Sequence, residues 1–184
     1  MTFGNENQAF ETYEAAEKFQ IDDLKLECEI YLSELELRPQ TIWKSLERAM
    51  SLKMEKMQKK YMTYIEKKTY DCLHESSFLA ASEEIIMKIM TSEKLSVSEF
   101  ELLHRLVAWA KNKNKVPLKL FIRPYLACAR FRALTPKEFC SFIQTHPDLI
   151  DSHECLQILQ HLEIPYKNSL PAWCCRFPKR IWPY

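Results

Sequence analysis

Glycine is almost missing from this chain. Among 184 residues the single example is Gly4, where an average composition of about 7% gives roughly a dozen. Phosphate-cradling loops, dinucleotide-binding turns and nucleophile elbows all need glycine where the backbone bends sharply or a ligand comes close. Those chemistries are close to excluded. Two-residue hairpins of the Asn-Gly or Asp-Gly kind are absent too, which argues against a sheet-rich fold. No apolar run reaches the roughly 18 to 20 residues of a membrane span, and no basic-then-apolar signal segment opens the chain. An excess of either charge is also lacking. The 26 Lys and Arg against 25 Asp and Glu leave +1, so no global field draws the molecule to nucleic acid or an acidic membrane. The seven cysteines, at 28, 72, 128, 140, 155, 174 and 175, are odd in number and read as reduced thiols of a cytoplasmic or nuclear protein.

What is present is helical periodicity, with 47% hydrophobic residues to fill a core. Phe10, Tyr13, Ala16 and Glu17 set a first helix over 9–19. Leu24, Cys28, Tyr31, Leu32 and Leu35 form one stripe of a second, capped by Asp22 and stopped by Pro39. Thr41 opens a third helix with Ile42, Leu46, Ala49 and Met50 on one face. After a break at 51–53, a fourth carries Met54, Met57, Tyr61, Tyr64 and Ile65, so the two form an antiparallel pair. Residues 69–81 are less regular, and a fifth helix from Ser82 carries Ile85, Ile86, Ile89 and Met90. Capping boxes at Ser98 with Glu101, Thr135 with Glu138 and Asp151 with Glu154 start three further helices, the second helped by Pro136 at its first position. Between them, 118–129 is an apolar pattern interrupted at Pro124. From 166 on, Pro171, Pro178 and Pro183 with Trp173 and Trp182 indicate an extended tail, either disordered or held across the helices by the two tryptophans. The expected fold is all-α, built of stacked antiparallel helix pairs.

Candidate chemistry is sparse. Cys140, His146, His153 and Cys155 have the side chains of a zinc site, but no short paired-ligand spacing, and Pro147 lies between them. They read as helix-face thiols and surface histidines, with no metal or cofactor expected. Vicinal Cys174 and Cys175 point apart and read as free thiols. Five histidines and many serines allow arbitrary catalytic triples, yet no local pattern selects one, so no enzyme is expected. Lys56, Lys59, Lys60, Lys67 and Lys68 on the helix over 54–68 allow an alternative reading as a helical nucleic-acid-binding protein. Most of them lie opposite Met57, Tyr61 and Tyr64, as a solvated face does. Trp109, inside a capped amphipathic helix, is a core anchor. Met50, Met54 and Met57 cluster between the third and fourth helices, where methionines serve equally as core or as an adaptable docking groove.

The phrases AFETYEAAEKFQIDDLKLECEIYL, SSFLAASEEIIMKIMTSEKLSVSEFELLHRLVAWAKN and ARFRALTPKEF together resemble the BACK domain and the end of the BTB domain before it, as in BTB–BACK and BTB–kelch proteins. The resemblance runs from about 9 to 164. It implies the last helices of a BTB domain over 1–37, a BACK-like helical domain over 38–165 and the tail over 166–184. It also implies an adaptor role, with cullin-3 as one partner and an unknown substrate protein as the other. The helix pair following the BTB domain adds a groove for the cullin's N-terminal extension. Here that groove is expected beside Leu46, Ala49, Met50, Lys53 and Met57.

Overall fold

The computed structural model describes residues 3–165, 168–177 and 180. Among them the chain is all-α, with ten α-helices and no strand. Helices α1 (Glu6–Lys18) and α2 (Asp22–Glu34) form a hairpin, and α3 (Ile42–Ser51) pairs with α4 (Glu55–Lys67). Short α5 (Thr69–His74) and a 3-10 turn at Ser76–Ala80 lead to α6 (Glu83–Thr91). The stack is completed by α7 (Glu99–Asn112), α8 (Leu118–Leu126), α9 (Pro136–Thr145) and α10 (Ser152–Glu163). One continuous cluster of buried side chains runs from Phe10 through Trp43, Tyr61, Trp109 and Phe142 to Ile158. At its centre, α7 packs on α5, the 76–80 turn, α8 and α9.

Two tryptophans tie this core to the segment without regular sequence pattern. The Trp43 indole donates to the Cys72 carbonyl at 2.8 Å and that of Trp109 to the Ala81 carbonyl at 2.9 Å, so each buried N–H is satisfied. Residues 69–81 thus acquire structure from partners on α3 and α7. Other boundaries also differ from the sequence expectation. Ile21, not Asp22, is the N-cap of α2, and the helix stops at Glu34, ahead of Pro39. At α7 the box is half made: Ser98 accepts the Glu101 N–H at 3.2 Å, while the Glu101 carboxylate meets His74 Nε2 at 3.1 Å. The boxes at Thr135 and Asp151 are complete.

Helix ends show how the chain does without glycine. Gln20, Lys53 and Asn114 hold φ near +56°, +55° and +51°, the left-handed region that glycine ordinarily occupies after a helix. After α3, the Lys53 N–H donates to Met50 O at 3.1 Å and the Met54 N–H to Ala49 O at 2.9 Å. After α1, the Gln20 N–H reaches Glu17 O at 3.2 Å and the Ile21 N–H reaches Ala16 O at 2.9 Å. Both are Schellman turns, which satisfy carbonyls the helix leaves unpaired.

The tail packs where it is described. Trp173 meets the Phe131 ring at 5.6 Å and carries the Arg123 guanidinium 3.8 Å from its own ring centroid, and its N–H donates to Glu154 at 2.8 Å. Farther on, the buried Arg180 donates from Nε to Glu99 Oε2 at 2.9 Å and from Nη2 to Glu99 Oε1 at 3.2 Å and Met90 O at 2.9 Å. Its Nη1 donates to Ser92 O. Trp182, the other expected anchor, lies outside the described residues.

Candidate partner-binding face

The α3–α4 pair is built from two amphipathic strips. On α3, Ile42, Trp43, Leu46 and Ala49 turn inward, leaving Lys44 and Glu47 exposed. Met57, Tyr61, Met62 and Ile65 do the same on α4. The five groove residues expected from sequence therefore divide. Leu46, Ala49 and Met57 are buried between the helices, Met57 being only 4% exposed, whereas Met50 is half-buried and Lys53 exposed. What the pair presents outward at this end is the Met50 side chain beside the left-handed Lys53 turn. Two clefts lie along the pair, neither of them lined by Met50 or Lys53. One of about 290 Å³ between α1 and α3 is lined by Glu6, Phe10, Lys44 and Arg48 among others, with the Arg48 guanidinium 5.0 Å from the Phe10 ring centre. The other, of about 610 Å³ between α4 and α6, is lined by Lys59, Met62, Glu66, Lys88 and Glu93 among others.

The lysines of α4 do not act as one face. Lys60 donates to Leu32 O at 3.0 Å, Ser33 O at 2.7 Å and Leu35 O at 2.9 Å, closing the C-terminal end of α2 with a cation where the helix dipole is negative. Burial pushes its ammonium below the ordinary lysine value. Lys56 pairs with Glu29 on α2 at 3.3 Å, and Lys59 shares its cleft with Glu55, Glu66 and Glu93 and with Lys88 and Lys94. Phosphate binding scales with the number of cations free to neutralise phosphates, and here Lys56 and Lys60 are engaged within the fold while Lys59, Lys67 and Lys68 are exposed. Nothing in the sequence distinguishes Lys60 from its neighbours, because the carbonyls that it caps lie on another helix.

The other candidates fall in separate places. Cys140 is exposed on α9 and His153 exposed on α10. Cys155 turns its thiol to the Ile150 carbonyl at 3.6 Å. His146 at the end of α9 packs against His104 and Phe142, with ring centres 5.4 and 5.2 Å away. Among the described residues no three metal-ligating side chains converge. Cys174 is buried and Cys175 partly so. Burial pushes the thiols of Cys72 and Cys174 up to about 12, far from the thiolate that reactivity requires. Among the described residues no helix is long and apolar enough to cross a membrane.

A stack of helix pairs around one core, with its polar groups spent on caps and ties between helices, is the architecture of a helical scaffold. The chain belongs to the BACK family, BTB And C-terminal Kelch, whose match covers residues 43–144, more than half of its length. That match extends from Trp43 on α3 almost to the end of α9, and so contains both helices of the α3–α4 pair. BACK domains form a protein-interaction family. No curated protein matches the chain.

Proposed function

We propose that this chain is a non-catalytic adaptor scaffold of a cullin-3 ubiquitin ligase, with the outer surface of the α3–α4 pair contributing to the cullin contact. The observation that carries the reading is the family match across α3 to α9. It is supported by the corner where the half-buried Met50 and the exposed Lys53 stand at a Schellman turn. A flexible apolar side chain beside a fixed turn suits an inserting helix or extended peptide. In this reading the stack sets the distance and angle between a ligase-binding end and a substrate-binding end. Residues 1–37 supply the last helices of a BTB domain, and 38–165 the BACK-like domain.

The test uses outward-facing positions, since Met57 belongs to the core. Met50→Glu with Lys53→Glu is expected to abolish pull-down of the cullin-3 N-terminal domain while the helical circular dichroism signal is retained. Unchanged capture by the double variant overturns the assignment.

A further inference from the structure

Charge is unevenly distributed in this nearly neutral chain. Residues 1–37 hold ten Asp and Glu against two Lys, a net of −8, so the remaining residues carry +9 of the overall +1. Within the acidic stretch, α2 turns Cys28 and Leu32 into the core and packs on α1 and α4. At 3.6 residues per turn, Leu26 and Ile30 stand one above the other on the opposite side. They are 52% and 49% exposed, and no element described in the structure covers them. Asp23 and Glu34 border this apolar pair on one flank and Asp22 on the other, all three exposed. Asp22 shares Lys25 with Glu17, at 3.2 and 2.7 Å.

We infer that the outer face of α2 is a docking site for a basic amphipathic helix of a partner protein. The partner's apolar row seats on Leu26 and Ile30, and its Lys and Arg side chains meet Asp22, Asp23 and Glu34. Charge complementarity selects this occupant. Two copies of the chain meeting through the same face set carboxylates opposite carboxylates, and an acidic segment does likewise. Exposed apolar anchors at i and i+4 are the spacing with which helices recognise one another. The inference stands apart from the cullin assignment, which rests on α3 and α4.

Fluorescence anisotropy with the full chain and a labelled synthetic Leu/Lys amphipathic helix tests it, against the same composition scrambled to remove the apolar face. The amphipathic peptide is expected to bind about tenfold or more tighter than the scrambled one. Leu26→Gln with Ile30→Gln is expected to remove that advantage without changing helicity. Asp23→Asn with Glu34→Gln weakens binding and flattens its salt dependence, and Leu120→Gln, an exposed site on α8, leaves it unchanged. Equal binding of the two peptides, or an equal loss in the Leu120→Gln variant, overturns the inference. So does a dimer of the chain alone that Leu26→Gln with Ile30→Gln dissolves, because a second copy then covers the face.

Discussion

A proton has no good place on His146. Both of its ring nitrogens and His104 Nε2 are buried without a hydrogen-bond partner among the described residues, and the rings are packed with Phe100 and Phe142. Burial first, then the positive charge of Lys111 and the neighbouring His104, hold His146 below its ordinary 6.5. The folded chain therefore binds this proton less readily than the unfolded chain. The resulting stability is complete above pH 6.5 and is lost as pH falls through the depressed folded value. Urea midpoints measured between about pH 7.5 and 5 should fall for the native sequence and change less for His146→Phe, which keeps the ring contacts and removes the titration. Glu154, held below its ordinary 4.5 mainly by its hydrogen bond from Arg123, acts in a lower window and does not mask the effect. This pairing of histidines was not legible in the sequence, because His104 and His146 lie on different helices. The read-through from sequence to site was likewise partial at the groove: Met50 and Met57 look alike as letters, and only the packing of α3 on α4 turns one outward and buries the other.

At the level of helices, starts and stops were not equally visible. A capping box is a local device, with donor and acceptor three residues apart, and the pairs at Thr135 and Asp151 can be recognised before any fold is known. Helix ends usually show themselves through glycine, and here Gln20 and Lys53 hold the left-handed position instead. A non-glycine residue there costs about 1–2 kcal/mol. Gln20→Gly is accordingly expected to raise stability by about 1 kcal/mol, after the greater freedom of glycine in the unfolded chain is subtracted. Its thermal midpoint should exceed that of the native chain, while Glu14→Gly inside α1 should lower it by about 1 kcal/mol of stability. The short α5 had no such local marker. Its order depends on Trp43 and on Arg105, whose Nε donates to the Leu73 carbonyl at 2.8 Å, and both partners are distant in sequence.

Across the whole molecule, the polar tie between Glu99 and Arg180 joins the start of α7 to the tail. Their side chains are only 2% and 3% exposed, and Glu99 Oε1 also accepts the Arg130 N–H at 2.8 Å. Removing one member of a buried pair leaves an uncompensated charge and costs about 3–5 kcal/mol. Arg180→Met should show a loss of that order in urea unfolding, and adding Glu99→Gln to it should restore a large part, since the stranded carboxylate is then gone. The two residues are separated by 81 positions, and translation runs at roughly 5–20 residues per second, so Arg180 is made about 4 to 16 s after Glu99. For that interval the nascent chain holds a carboxylate with no guanidinium to receive it. The α6–α7 corner, where Met90 O, Ser92 O and Glu99 await the same side chain, therefore stays open to water until Arg180 has been made.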